Sequence, residues 1–512
     1  MLVKTYSAAL MALKAIKVII EVNVNKGMHF IIVGLPDNAV KESQQRIMAA
    51  ISNTGLHLPL HNTVINMAPA DVKKEGASYD LPIAVGLLAA SGIITASNLE
   101  RYMMIGELGL DGSVRPVSGI LSIAILAREL KMDGLIVPID NVREASVVNN
   151  LNVYGVHSLD EVIRMLNGQI SIDPTITDTR EEFAKNQSSF DLDFADVKGQ
   201  ETVKRALEVA AAGGHNLIMI GPPGSGKTMM AQRLPSILPP LTLRESLETT
   251  QIYSVASALK RDSTLIATRP FRSPHHTISQ VALCGGGATP RPGEICLAHN
   301  GVLFCDELPE FSRSTLEVLR QPMEDRKIVI SRAKYSVEYP CSFMFVASMN
   351  PCPCGYYNDP THECTCSPGI IQRYMGKISG PMLDRIDIQV EITPVSFDDM
   401  SKQSRGESSV SIRQRVVAAR NIQAERFKNH PYVNCNAQMS RSLIDKYVRL
   451  DKPSTEILRK AMEKLNLSAR AYDRILRVAR TIADLAGNPD VTIADISEAI
   501  TYRNLDRASW GT

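Results

Sequence analysis

The feature that most constrains this chain is an eight-residue run, Gly221, Pro222, Pro223, Gly224, Ser225, Gly226, Lys227 and Thr228, which follows the apolar stretch Leu217–Ile220 and precedes a helical pattern, Met229–Leu234. The spacing is G-x-x-x-x-G-K-[ST], a phosphate-binding P-loop. Its chemistry dictates its setting. Glycines let successive backbone N–H groups turn inward around phosphate oxygens, and the following helix adds the positive end of its dipole. Lys227 then reaches the β- and γ-phosphates, and Thr228 ligates Mg²⁺. A loop that leaves a buried strand and opens a helix predicts a parallel α/β core that binds ATP with Mg²⁺.

Val302–Glu307 is an apolar run that ends in two acids. Beside a P-loop, Asp306 is expected to hold Mg²⁺ and Glu307 to polarise the attacking water. Asn350 ends the next apolar run, Phe343–Met349, where an amide can orient that water.

The rest of the chain divides by texture. At about 150 residues per domain, its 512 residues predict roughly three domains. Residues 1–168 alternate β-rich segments (Val18–Val24, Phe30–Val33, Thr63–Met67) with helical ones (Ala39–Thr54, Leu81–Ala90), as an α/β or α+β domain does. Residues 169–190 are polar and without sustained period, and are read as a linker. Residues 191–395 carry short apolar strands separated by helical stretches, a parallel sheet with crossovers. A second polar linker, 396–409, leads to purely helical patterns over 410–507. The longest apolar run, Leu81–Thr95, is shorter than the roughly 18 residues a bilayer span needs. The N-terminus lacks a signal-peptide layout, so a cytoplasmic protein with no membrane partner is expected.

Net charge is +2, but the average conceals an asymmetry. From Ser401 onward 20 Lys and Arg stand against 12 Asp and Glu, a net of +8, which leaves −6 for the remainder. That excess is either a polyanion-facing surface or ordinary solvated helix charge.

The sequence resembles the AAA+ ATPases, and within them the magnesium-chelatase and MCM-type clade. The resemblance implies that Asn350 is the sensor 1 residue, that Arg385 in Leu383–Asp387 is an arginine finger for a neighbouring subunit, and that Arg470, which opens the helix Ala469–Ala486, is the sensor 2 arginine of a lid. A narrower resemblance, to the YifB/ComM group, runs from Met1 to Tyr502 through Val33–Ser43, Asn66–Gly76, Asp80–Pro82, Arg269–Thr277 and Ile378–Asp387. It implies three parts: a Lon-protease-like domain of the ribosomal S5 domain 2-like fold, a P-loop AAA+ αβα sandwich and a helical lid. It also implies self-association into a hexameric ring that hydrolyses ATP and acts on single-stranded or branched DNA, as a branch-migration or helicase-type motor of recombination or natural transformation. A chelatase-like ATPase that remodels a protein partner is the alternative.

Within the front domain Lys73–Asp80 resembles the Lon segment that bears the nucleophilic serine, which places Ser78 on it. Activation of that hydroxyl needs a neutral lysine amine. The matching segment, Gly106–Leu121, has Leu121 where the dyad lysine is expected, so a scaffold is favoured over a Ser protease; Lys73 or Lys74 is the substitute base a protease would need. Glu324–Glu338, two alternating strands around a basic turn, resembles the pre-sensor 1 hairpin of the clade, and Arg332 and Lys334 on it are candidates to grip DNA phosphates. His275 and His276 leave a metal pair, a pore loop and hydrogen bonding all open.

Eight of the nine cysteines fall between Cys284 and Cys366. Cys352, Cys354, Cys364 and Cys366 flank a polar loop, and four thiolates satisfy a tetrahedral Zn²⁺. The C-x-C spacing departs from the common C-x₂-C pairs, so a structural zinc, reduced thiols and a redox pair all stand as readings.

Overall fold

The computed structural model describes all residues except 28, 59–60, 179–180, 182, 185–186, 188–189, 260–263, 288–289, 333–334, 360–361, 395–405, 431, 466 and 504–512. Two compact units emerge. The first is Met1–Asn186 with Leu243–Ala267, and the second is Gln187–Thr242 with Thr268–Thr512.

The first unit is built on a seven-stranded mixed sheet, in the order Phe30–Val33, His61–Ala68, Lys14–Lys26, Leu2–Met11, Tyr102–Met104, Gly134–Pro138, Val153–Val156. Lys14–Lys26 runs antiparallel to both its neighbours, and the other pairs are parallel. The apolar run noted above supplies the helix Asp80–Ala90, all of whose residues are buried, and continues past its C-cap at Ser91. At its start the Asp80 carboxylate accepts from Arg46 Nε at 2.9 Å. Burial nonetheless pushes the Asp80 carboxyl up to about 6, against the opposing pull of Arg46.

The sequence gives no warning of the first strand, Leu2–Met11. It pairs along its whole length with Lys14–Lys26, yet one face buries only Val3, Thr5, Ser7 and Ala9, and the other buries Ala8. These small and polar side chains blur the period-2 signal. Leu243–Val255, in the span read as ATPase core, belongs to this first unit. Leu247 packs on the cluster formed by Leu121, Ala124 and their neighbours, and the buried Glu144 carboxylate accepts from the Ser254 hydroxyl and from Leu121 N at 2.9 Å.

The second unit holds a five-stranded parallel sheet in the order Phe271–Arg272, Val302–Cys305, Met344–Met349, Leu217–Ile220, Ile388–Glu391. The P-loop strand lies between the Asn350 strand and Ile388–Glu391, which brings the carboxyl ends of three strands to one edge, where ligands of open α/β sheets bind. The helices Ser409–Phe427, Arg441–Tyr447, Lys452–Leu465, Ala469–Leu485 and Ile493–Thr501 belong to the same unit. Their starts follow capping chemistry: Ser408 and Ser468 cap two of them, and Thr492 with Asp495 forms a capping box on the last. Asp387, at the foot of the edge strand, is tied to this helical layer by an ion pair with Arg474. Burial alone would raise its pKa, but Arg474 with His215 and Arg477 holds the carboxyl well below the usual range. Among the described residues no helix is long and apolar enough to cross a membrane.

Candidate nucleotide site

The strand Leu217–Ile220 is buried throughout, and the helix Lys227–Ile237 starts directly after Gly226 at φ +88°. A left-handed residue at that point is cheap only for glycine. Gly221 is required for a different reason, since a Cβ there would lie 2.5 Å from Ile392 O. The loop is therefore held against the edge strand.

Lys227 is 9% exposed, and its ammonium donates to Gly221 O at 2.7 Å, Pro222 O at 2.8 Å and Asn350 Oδ1 at 3.1 Å. Burial lowers its pKa, and the nearby Asp306 and Glu307 carboxylates oppose that shift. Thr228 Oγ1 donates to Asp306 Oδ2 at 2.6 Å, and the Ser348 hydroxyl donates to the other oxygen of the same carboxylate. Glu307 follows at φ +53° with a side chain 58% exposed, and His276 Nδ1 sits 3.7 Å from its Oε2. A cavity of about 390 Å³ opens beside these groups, lined by Glu307, Asn350, Arg373, Tyr374 and Lys377 among others.

The cradle fits a nucleotide phosphate. Ser225 Oγ is buried with no hydrogen-bond partner among the described residues, and the Gly224 Cβ direction is open space. Buried polar atoms are rarely left unpaired. An anion in the loop would satisfy that hydroxyl. Thr228 Oγ1 and Asp306 offer the hard oxygen donors that Mg²⁺ takes.

Of the residues expected at the site, the fold brings together the P-loop, Asp306, Glu307 and Asn350. It does not bring Arg385 or Arg470 to them. Arg385 pairs with Glu324 Oε1 at 2.8 Å and donates to Pro381 O at 2.6 Å. Arg470 is 65% exposed and reaches Asp384 at 3.5 Å. Two further arginines of that helix are taken up in packing, Arg474 by Asp387 and Arg480 by Asp484 and the carbonyls of Asn488 and Pro489. The strands Lys327–Arg332 and Tyr335–Pro340 form the expected antiparallel hairpin. Lys334 lies outside the described residues, as does the side chain of Arg332. Sequence reasoning missed Ser348, which orients Asp306. Its signal was a hydroxyl on an otherwise apolar strand two residues before Asn350.

In the first unit Leu121 is fully buried in the helix Ile120–Glu129. Lys74 is also buried, and its ammonium donates to the carbonyls of Gly34, at 3.0 Å, and Pro69.

The four clustered cysteines converge, with all sulfurs within 4.8 Å of one another. This set can hold a metal ion. Burial pushes other thiols up, to about 11 at Cys284 and to about 12 at Cys296 and Cys305, as suits inert packing.

Fold and site together point to a P-loop ATPase of the AAA+ type, and similarity to known proteins narrows the class. Family profiles described as magnesium chelatase subunit ChlI, subunit ChlI of Mg-chelatase, and magnesium chelatase subunit ChlI C-terminal match residues 193–400, 20–141 and 406–503. The chain is 44% identical over 506 residues to competence protein ComM of Haemophilus influenzae, covering 98% of this chain and 97% of that protein. It is 43% identical over 507 residues to YifB of Salmonella typhimurium, with 98% and 97% covered. Lon protease 2 of Bacillus subtilis is 33% identical over 159 residues, 28% of this chain and 27% of that one. The chain belongs to the ComM/YifB family of magnesium-chelatase-like proteins.

Proposed function

We propose that this protein is an ATP-hydrolysing ring motor that acts on DNA, as a branch-migration or helicase-type enzyme of recombination or natural transformation. The observation that carries the ATPase is the junction of Lys227, Thr228–Asp306–Ser348 and Asn350 around an unpaired Ser225 hydroxyl. Lys227 leaves its carbonyls for the β- and γ-phosphates, and the loop N–H groups with Ser225 Oγ bind the remaining oxygens. Thr228 and Asp306 hold Mg²⁺, which supplies neutralisation of the charge that develops on the phosphates. Glu307 polarises the attacking water and Asn350 orients it. His276, within reach of Glu307, positions that carboxylate. Arg385 serves the site of a neighbouring subunit and Arg470 the lid of its own, so the ring, a hexamer, completes each site.

Residues 1–168 are read as the Lon-like front domain, 191–395, apart from the stretch 243–267 that belongs to the first unit, as the AAA+ core and 410–507 as its lid, in a cytoplasmic protein. Support for DNA comes from the basic hairpin with Arg332 and Lys334, the C-terminal excess of positive charge, and a close relative named for competence. The four clustered cysteines hold a structural Zn²⁺, the ion that suits four thiolates. The deciding measurement is ATP hydrolysis at low salt with and without branched DNA. Stimulation by DNA that disappears in Lys227→Ala supports the motor. Hydrolysis indifferent to DNA favours remodelling of a protein partner.

A further inference from the structure

Residues 351–367 join the Asn350 strand to the helix Pro368–Met375, and among the described residues they contain no helix or strand. Connections of this length without secondary structure are uncommon in compact domains and usually serve a function. With no backbone ladder to order it, such a segment needs another cross-link. The cysteines provide one: Cys352 Sγ lies 3.2 Å from Cys354 Sγ and 3.7 Å from Cys364 Sγ, and Cys354 and Cys364 are 3.5 Å apart. A disulfide would need about 2.05 Å. Four sulfurs at about 2.3 Å from one Zn²⁺ stand about 3.8 Å from each other at tetrahedral angles, close to the separations among Cys352, Cys354 and Cys364, and the Cys366 sulfur lies within 4.8 Å of each of them. Backbone N–H groups of Tyr356 and Thr365 hydrogen bond the Cys354 sulfur, the kind of support that orients a metal ligand. Tyr356 and His362 stack at 4.8 Å across the same loop.

The loop also touches the nucleotide cradle. Cys352 is fully buried two residues after Asn350, whose side chain accepts from Lys227. Gly355, at φ +89°, lies so close to the P-loop that a Cβ there would sit 2.5 Å from Pro223 Cδ. We infer that the thiolate loop is a metal clip for the nucleotide site: one tetrahedral Zn²⁺ on Cys352, Cys354, Cys364 and Cys366 fixes Asn350 at one end and braces the P-loop at Pro223 through Gly355. The inference rests on the readings of an ATP site and a zinc site, and its test separates the three.

Zinc is counted in the full-length protein purified under reductant, cobalt-substituted protein is examined for the absorption of a tetrahedral thiolate site, and Mg-ADP affinity is measured by calorimetry. One zinc per chain is expected. The pair Cys364→Ser and Cys366→Ser loses it and, with helix content retained by circular dichroism, binds Mg-ADP about tenfold or more weakly. Gly355→Ala keeps every ligand and the zinc, but weakens Mg-ADP by lifting the loop off Pro223. Wild-type protein that carries no stoichiometric zinc and takes up no cobalt overturns the metal. Zinc-free double variant and Gly355→Ala that both bind Mg-ADP as tightly as wild type overturn the clip and leave the metal standing. Wild type that carries zinc and binds no Mg-ADP overturns the ATP site and the clip together.

Discussion

Among the described residues, burial lowers the pKa of two lysine ammoniums, Lys74 and Lys227. Lys74 in the first unit donates to two main-chain carbonyls. Lys227 in the second also donates to two carbonyls, but its third bond reaches Asn350, and its surroundings include an acidic pair and an unpaired buried hydroxyl. The difference teaches that a depressed lysine is not itself a site. What distinguishes Lys227 is unfinished hydrogen bonding around it among the described residues, which a bound anion would complete. Around Lys74 the bonds are closed, and the position where a dyad lysine was expected holds Leu121, packed away from water.

The contrast can be broken at either end. Removing the second unit's chemistry has the largest expected effect: Lys227→Ala and Glu307→Gln each lower ATP turnover by about 10²-fold or more. Lys227→Ala also weakens nucleotide binding, whereas Glu307→Gln retains it. Next comes Arg474→Ala, which strands the buried Asp387 and lowers stability of the second unit by about 3–5 kcal/mol in chemical denaturation. Lys74→Met, by leaving two carbonyls unpaired, lowers stability of the first unit by about 1–3 kcal/mol without changing ATP turnover. A loss of turnover comparable to that of Lys227→Ala would erase the distinction between the two lysines. Ser78→Ala is expected to do least, with no peptide cleavage to lose. Cleavage that vanishes in this variant would revive a protease.

The two units should also differ in their response to acid. The folded-state pKa of Asp80 is raised, so its contribution to the first unit is present in full below about pH 4 and lost as pH rises through about 6. Asp387 is depressed, so its contribution to the second unit is present above about pH 4 and lost as pH falls below it. Calorimetric scans across this range should show the Asp80 term favouring the first unit between pH 6 and 4, a trend removed by Asp80→Asn. The Asp387 term weakens only the second unit at still lower pH.

Much of the nucleotide site was legible because it is local. Strand, glycine turn and lysine follow one another in eight residues, and Asp306 and Asn350 each end an apolar run. The helical region was equally readable from its period, and the helix expected over Ala469–Ala486 is found over Ala469–Leu485. Less legible were partners set by tertiary contact. Nothing in the sequence paired Asp387 with Arg474 rather than with Arg385 or Arg470, since several arginines lie within a few turns of one another. Ser348 looked like any strand residue until the fold set it beside Asp306. Nor does the sequence of Leu243–Val255 reveal which unit it covers, because its buried residues, Ser246, Thr249, Thr250, Ile252 and Ser254, are mostly hydroxyl-bearing and give no apolar period.

That helix has a consequence for how the protein is made. Leu247 and Ser254 contribute to a layer whose other members, Leu121 and Glu144, are synthesised about a hundred residues earlier. During synthesis the first unit must wait, with that face uncovered, while the ribosome adds the P-loop strand and helix of the second unit. A fragment that stops at residue 168 reproduces this waiting state permanently. One that carries 243–267 on a linker completes it.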